Sequence, residues 1–217
     1  MIPIRDVIPS RTTPWVTLSL IAVNVAVFAY AWSLSPTAHQ DLLNAAGLVS
    51  ADFRLSTALT AMFVHTGWLH LSGNLLALWL FGDNVEDRMG HGRFFAFYLI
   101  AGLVAALTQT WAAASAVVPL VGASGAIAGV LGAYVLSFPH SRILVFVPVF
   151  IYWELLEVPA ILFLGLWFLL QILGGLGAPV DAASLATWGL IGGLATGLVV
   201  ARLFQQRERR RVDWWGR

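Results

Sequence analysis

The sequence predicts an all-α polytopic membrane protein, a six-transmembrane-helix bundle with both termini in the cytoplasm. Three observations lead to this prediction. The chain of 217 residues is 59% hydrophobic and only 11% charged, whereas soluble domains carry roughly 25% charged residues. It contains six apolar stretches of membrane-spanning length. Its arginines lie almost entirely on one side of those stretches, which indicates how the chain is oriented in the bilayer.

The apolar stretches cover residues 14–34, 66–82, 94–115, 123–138, 158–175 and 184–203. Each has about 16–22 residues, and a helix needs about 20 to cross the hydrocarbon core. The fourth stretch is short and begins in a glycine-rich sequence, so we expect that helix to start inside the membrane. Residues 35–65 form a long, partly apolar loop, which we expect to lie along the outer surface with helical spacing in its second half.

The arginines fix the predicted orientation, because cytoplasmic loops carry an excess of basic residues. Eleven of the twelve basic residues, all of them arginine, fall on one side, and only Arg54 lies in a loop on the other. The predicted organisation is a cytoplasmic N-terminal segment (1–13), a six-helix domain (14–204) and a basic cytoplasmic tail (205–217). The arginines on the cytoplasmic side are Arg5, Arg11, Arg88, Arg93, Arg142, Arg202, Arg207, Arg209, Arg210, Arg211 and Arg217.

The composition excludes several kinds of chemistry. The chain has no cysteine, which excludes disulfides, thiol catalysis and cysteine-ligated metals, and it has no lysine for a Ser–Lys dyad. No Asp, Glu or Arg falls inside a predicted span, which argues against an ion pump or proton-coupled transporter. His65 and His70 have no carboxylate partner at a suitable spacing for a metal. We therefore expect no metal, no cofactor and no nucleic-acid partner.

Three polar residues inside the predicted spans are candidates for a site. His70 and Asn74 are four residues apart and share one helix face; they are either interhelical hydrogen-bond partners or two donors aimed at an oxyanion. Ser124 begins the fourth span, where Gly125 and Gly129 form a GxxxG pattern. That pattern predicts close helix packing, while the serine itself is a candidate nucleophile only if a base lies beside it.

Depth in the membrane places three positions in one layer. Ser124, His70 and Leu190 lie about 22, 20 and 18 Å of helix from the cytoplasmic ends of their spans at about 1.5 Å per residue. Gly193 and Gly197 form a second GxxxG pattern on the face that also carries Leu190. We therefore expect Leu190 to be buried against Ser124. A histidine at that position would complete a Ser–His dyad, whereas leucine supplies no proton acceptor.

Four motifs together resemble the rhomboid family of intramembrane serine proteases over essentially the whole chain. They are HLSGN at 70–74, FGDNVEDRMG at 81–90, GASGAIAGVLGAY at 122–134 and GLIGGLATG at 189–197. The second motif has Glu86 and Arg88 at the positions expected for the family's loop after the second helix. The fourth departs from the family pattern, which usually reads Ala-His-Ile-Gly-Gly, because Leu190 stands at the histidine position without a gap.

The resemblance implies a role for each motif residue. Ser124 is the nucleophile, position 190 is that of the general base, and His70, Asn74 and the Ser124 backbone N–H form the oxyanion hole. The motif residues with a structural role are Gly122, Gly125, Gly129, Gly193, Gly197, Glu86 and Arg88. The partners implied are transmembrane helices of client membrane proteins and the lipid bilayer. The fifth helix is the lateral gate, which Trp167 and Phe168 either help to close or merely flank as lipid-facing bulk.

The resulting functional prediction is a rhomboid-family intramembrane serine endopeptidase scaffold that is inactive or strongly impaired because Leu190 replaces the base. Two alternatives stay open. One is a non-proteolytic rhomboid pseudoprotease that binds or escorts membrane clients. The other is an active protease that uses His70 or His65 as its base. The simplest predicted location is a bacterial inner membrane.

Overall fold

The computed structural model describes residues 2–149, 152–177 and 182–206, which are mostly helical. The helices are α1 (Trp15–Ser33), α2 (Pro36–Ala46), α3 (Leu55–Thr60), α4 (Trp68–Met89), α5 (His91–Ala112), α6 (Ser124–Ser137), α7 (Ala160–Gly177) and α8 (Ala182–Phe204). The strands are β1 (Ile2–Asp6), β2 (Arg142–Val149) and β3 (Tyr152–Pro159). Each apolar stretch of the sequence therefore corresponds to one helix, with ends that differ by at most three residues except at the end of α4.

Membrane-spanning character is strongest in three of these helices. Those long and apolar enough to cross a bilayer are Trp15–Ser33, His91–Ala112 and Ala186–Phe204, and the shorter apolar helices are Ser124–Ser137 and Ala160–Leu173. Helix α4 continues seven residues past the predicted end at 82 and carries the charged DNVEDRM sequence in its last two turns. The structure is thus that of an integral membrane bundle, while six crossings and cytoplasmic termini stay predictions.

The long loop between α1 and α4 is largely helical: α3 lies in its second half, where the helical spacing predicts it, whereas α2 in its first half was not predicted. Ser35 caps α2, because its Oγ accepts a hydrogen bond from the Ala38 N–H at 3.4 Å and Pro36 follows at the first helical position. Helix α3 and a 3₁₀ turn at Ala61–Phe63 then lead to α4. A short antiparallel bridge joins Leu48 to Leu120, so the loop is tied to the segment just before α6.

Helix α6 is the centre of the bundle, and its glycines allow the closest contacts. A Cβ added at Gly193 would lie 1.9 Å from the Gly125 carbonyl oxygen, and one added at Gly197 would lie 2.2 Å from that of Gly129. The predicted backbone contact between the fourth and last spans is therefore confirmed. The missing Cβ atoms of Gly125 and Gly129 face a third helix instead, α5, where each would lie 2.5 Å from an alanine Cβ.

A three-stranded antiparallel sheet in the order β1–β2–β3 lies at the end of the bundle where α6 finishes. We call this the sheet end and the opposite one the Ser124 end. The all-α prediction did not include this sheet. Segment 1–13, expected to precede the bundle as a separate piece, contributes β1, in which Asp6 pairs with Ile143 and Pro3 with Val145. Ile143 and Val145 are fully buried, so the sheet packs onto the helical core.

Glu86 joins three helices at the sheet end. Its carboxylate accepts hydrogen bonds from the Val16 N–H at 2.9 Å, the Thr17 N–H at 2.8 Å and the Thr17 hydroxyl at 2.7 Å. It also contacts His91 Nδ1, at the start of α5, at 2.5 Å. Because these N–H groups belong to the first turn of α1, the buried carboxylate caps that helix and lies at the positive end of its dipole.

The described arginines follow the predicted asymmetry. Arg88 belongs to the last turn of α4, and its carbonyl oxygen accepts a hydrogen bond from the Gln206 N–H at 2.9 Å. Arg54 lies near the other end, where it pairs with Asp52 at 2.6 Å. The five arginines beyond residue 206, and with them almost the whole predicted basic tail, lie outside the described residues.

Candidate functional site

A cavity of about 680 Å³ lies between α4, α6, α7 and α8. The three residues that sequence reasoning places in one layer, Ser124, His70 and Leu190, all line it, and so does Asn74. The remainder of its wall is mostly apolar and comes largely from the facing sides of α4 and α7, with further residues from α6, α8, the segment before α6 and the N-terminal strand. The structure therefore brings the predicted site residues together in one cavity, next to a groove between two helices.

Ser124 is placed at the cavity by the start of α6. It is the first residue of that helix and is partly exposed. As a first-turn group, its backbone N–H has no acceptor within the helix and lies at the positive end of the helix dipole. Its hydroxyl has no hydrogen-bond partner among the described residues. The chain reaches this point through Gly122, whose φ of +127° only glycine adopts readily and whose N–H donates to the Ala61 carbonyl at 2.8 Å.

The His70 ring is held between a hydroxyl and a glycine. Its Nδ1 lies 3.2 Å from the Thr66 hydroxyl, one helical turn earlier. A Cβ at Gly122 would lie 2.6 Å from its Nε2, so only glycine leaves room for the ring. If the hydroxyl donates to Nδ1, the proton of the neutral ring resides on Nε2. In that tautomer Nε2 is a donor, as an oxyanion requires, and offers no acceptor for a serine proton.

Asn74 is buried, with 8% of its surface exposed, and its Nδ2 makes no hydrogen bond among the described residues. An unpaired buried amide costs free energy. Here the amide lines the cavity one helical turn beyond His70. The structure thus contains a buried donor without a partner among the described residues, on a residue that lines the cavity.

Leu190 is 6% exposed, belongs to the main hydrophobic core and lines the same cavity as Ser124. The predicted burial of Leu190 is confirmed, and it shares the cavity with Ser124, while direct contact between the two side chains stays a prediction. A leucine side chain accepts no proton, so this position contributes apolar surface to the cavity and no base. The neighbouring Thr187, also buried, is the nearest hydroxyl on the same helix face.

The other histidines are poorly placed to replace a base. His65 is fully buried, its ring centroid lies 5.0 Å from that of His70, and it does not line the cavity. Burial, and secondarily the neighbouring His70, lower the pKa of His65 to about 4. His91 contacts Glu86 at the sheet end. Among the described residues, no group of three or more His, Cys, Asp and Glu side chains has a geometry suited to a metal ion.

Gln109 is a site residue that sequence reasoning missed. It is 2% exposed in α5, and its Oε1 accepts a hydrogen bond at 3.1 Å from the Gly189 N–H, directly before Leu190. Together with Ser124 it lines a second, smaller cavity of about 70 Å³. The signal was present in the sequence, because a lone amide in an apolar span normally faces the bundle interior and finds a partner there.

The two aromatic residues expected at the gate on α7 both face the interior, so neither is lipid-facing bulk. Trp167 lines the large cavity, whereas Phe168 is buried in the core, and their rings meet edge to face at 5.2 Å. The site as a whole therefore holds a serine hydroxyl and three candidate oxyanion donors within an apolar cleft, and it has no proton acceptor at position 190.

Comparison with known proteins agrees with this architecture. The family model of the rhomboid domain matches residues 52–207, well over half of the chain. A segment of 135 residues, 59% of the chain, is 36% identical to rhomboid protein 1, mitochondrial, of Saccharomyces cerevisiae. A segment of 140 residues, 60% of the chain, is 31% identical to the presenilin-associated rhomboid-like protein, mitochondrial, of Rattus norvegicus. A shorter segment of 75 residues, 35% of the chain, is 44% identical to the rhomboid protease GluP of Bacillus subtilis.

These matches cover 38%, 35% and 14% of the three relatives' own lengths, so the chain corresponds to only part of each of them. Two of the three carry mitochondrial names, and the comparisons therefore do not support a bacterial inner membrane over another membrane. The family is nevertheless clear from the extent of the domain match and from the motifs that line the cavity. The chain belongs to the rhomboid family.

Proposed function

We propose that this protein is a rhomboid-family scaffold that admits transmembrane segments of client proteins to Ser124 but, with Leu190 in the base position, cleaves them very slowly or not at all. The observation that carries the proposal is the shared cavity: Leu190 is buried in the same space as Ser124 and the two oxyanion donors on α4. A serine hydroxyl needs an adjacent base to become a nucleophile.

The expected chemistry explains the loss. In a complete dyad a histidine at position 190 takes the proton of Ser124 Oγ as it attacks the scissile carbonyl, and later gives that proton to the leaving amine. The tetrahedral oxyanion is stabilised by the Ser124 N–H and by the donors His70 and Asn74. Without the base, only the oxyanion hole and binding contribute, which leaves a residual rate far below that of the complete enzyme.

Two alternatives carry over from the sequence. A non-proteolytic role in binding or escorting clients is consistent with the apolar groove between α4 and α7, which does not depend on a base. An active protease with His70 as base is favoured less, because the Thr66 contact at Nδ1 suits a ring that donates from Nε2. The alternative with His65 is weaker still, since that ring lies outside the cavity.

The test compares the parent chain with Leu190→His, with Leu190→His combined with Ser124→Ala, and with Leu198→His. Leu198 is 42% exposed on the same helix, so its variant controls for adding a histidine anywhere on α8. The readouts are cleavage of a model transmembrane substrate in liposomes and labelling of Ser124 by a fluorophosphonate. We expect cleavage and labelling only with Leu190→His alone.

Two other results are informative. If the parent chain cleaves the substrate and Ser124→Ala abolishes the cleavage, another base operates and the assigned role of position 190 is wrong. If no form cleaves or reacts while the parent still binds the substrate, the scaffold is a non-proteolytic binder. Six crossings and cytoplasmic termini belong to the same proposal, and reporter fusions at each end of the chain test them.

A further inference from the structure

The large cavity continues well beyond the layer of Ser124. On α4 its lining begins near His70 and reaches Phe81, eleven residues later, which corresponds to about 16 Å of helix. The wall opposite is formed by Phe163, Leu164 and Trp167 of α7. The cavity is therefore a groove between α4 and α7 that runs from the catalytic layer toward the sheet end.

The sheet end of this groove is formed by the N-terminal strand. Pro3 of β1 belongs to the lining, together with Leu80 and Phe81 of α4 and Leu131 of α6. Pro3 also pairs with Val145 in the register between β1 and β2. Pro3 thus lies at the sheet end of a groove whose Ser124 end holds the candidate nucleophile.

Besides its backbone pairing with β2, the strand β1 is tied to the helices by the side chain of Asp6. Asp6 Oδ2 accepts a hydrogen bond from Asn84 Nδ2 of α4 at 2.7 Å and another from the Tyr134 hydroxyl of α6 at 2.8 Å. The strand is therefore tied to both helices that form the floor and one wall of the groove. The other wall is tied to the same sheet, because α7 begins at Ala160, directly after β3 ends at Pro159.

We propose that β1 is the end stop of the client groove: Pro3 contacts the end of a client's transmembrane segment, and Asp6 holds the strand where that contact is made. This inference rests on the proposed function, in which the groove admits a client. The occupant is taken to be a transmembrane segment because the groove is apolar, lies between helices whose outer faces carry exposed leucines, and leads without interruption to Ser124.

The absence of cysteine from the chain makes a direct test possible. Single cysteines are introduced as Pro3→Cys at the proposed stop, Leu76→Cys on the groove wall and Val199→Cys on α8 as the control. Leu76 lines the groove, whereas Val199 is 75% exposed and does not. The probe is a synthetic single-span client helix of about 20 residues, with one cysteine at either end, and disulfide crosslinking in liposomes is the readout.

The expected result is crosslinking several-fold above the Val199→Cys level at both groove positions. Pro3→Cys should react with a cysteine at only one client end, the end that faces the sheet. If Leu76→Cys crosslinks and Pro3→Cys does not exceed the control, the end stop is refuted while the client groove stands. If neither groove position exceeds the control, as when lipid alone occupies the groove, the groove takes no client and the proposed binding function fails with it.

The anchoring role of Asp6 is tested in the same assay. Asp6→Ala should lower Pro3→Cys crosslinking several-fold and broaden it to other client positions, while Asp6→Asn, which keeps an acceptor oxygen, should retain most of it. Leu76→Cys crosslinking in the Asp6→Ala background reports whether the bundle is still folded. Unchanged Pro3→Cys crosslinking with Asp6→Ala would show that Asp6 does not hold the stop.

Discussion

Gly193→Ala tests the closest contact in the bundle. The Cβ added by this substitution would lie 1.9 Å from the Gly125 carbonyl oxygen, about 1.1 Å short of the 3.0 Å below which such contacts essentially never occur. The oxygen belongs to the helical backbone of α6 and cannot rotate away as a side chain can. The two helices must therefore move apart, which also opens the neighbouring contact between Gly197 and Gly129.

The cost can be estimated from this displacement. Overpacking of a well-packed interior typically costs about 1–3 kcal/mol, occasionally more. Because a backbone contact has little freedom to relax, we expect the upper end, about 3 kcal/mol. For a domain of this size that corresponds to a fall in melting temperature of roughly 6–12 °C. The assay is thermal unfolding of the purified protein in detergent.

Gly165→Ala is the matched control for this prediction. Gly165 lies in α7, and an added Cβ there would meet nothing within 4 Å. Because alanine favours a helix over glycine by up to about 1 kcal/mol, the control should melt at the parent temperature or slightly above it. If Gly193→Ala melts no lower than Gly165→Ala, the close approach of α6 and α8 is wrong.

Two further predictions concern the sheet end. Glu86→Ala should destabilise the protein by about 3 kcal/mol or more, because it leaves the first-turn N–H donors of α1 buried without an acceptor. Glu86→Gln, which keeps an acceptor oxygen, should destabilise the protein less. Equal melting temperatures for the parent and Glu86→Ala would contradict the capping role. Burial, more than a neighbouring carboxylate, raises the pKa of Asp6 from 3.8 to about 6. The folded state therefore retains a proton that the unfolded state loses, so this contribution to stability is present below about pH 4 and lost as the pH rises through about 6. The parent should lose melting temperature relative to Asp6→Asn across that range, and parallel curves would refute the shift.

The helices and the layer of site residues could be predicted because both depend on local properties. Hydrophobic length fixes where a helix crosses a bilayer, and the predicted span 14–34 differs from α1 by one residue at each end. The regular rise of a helix then gives the depth of each position. For that reason the sequence alone is enough to place Ser124, His70 and Leu190 in one layer.

The sheet could not be predicted in the same way. Pairing of β1 with β2 joins residues more than 130 positions apart in the chain, and no local pattern specifies such a partner. In a chain this apolar, short apolar runs such as RILVFVPV do not stand out from their surroundings. The end stop at Pro3 depends on that long-range pairing, so it could be found only from the structure.

Replacement of Asn74 distinguishes the two roles that the sequence leaves open for His70 and Asn74 of α4, namely interhelical hydrogen bonding and oxyanion stabilisation. If its amide is an interhelical hydrogen-bond partner, its replacement should destabilise the bundle. The structure shows instead a buried Nδ2 with no partner among the described residues, and an unpaired amide of this kind costs about 1–3 kcal/mol.

Asn74→Leu should therefore leave thermal stability unchanged or raise it, while it lowers the activity of Leu190→His by about 10²–10³-fold, as expected for the loss of one oxyanion donor. A cavity that serves only to pack apolar helices would be more stable with leucine at position 74. If the double variant Leu190→His, Asn74→Leu is more stable but inactive, the parent chain keeps an amide that lowers its stability and serves only catalysis, although its base is missing. A destabilised Asn74→Leu would assign the amide to packing and remove it from the oxyanion hole.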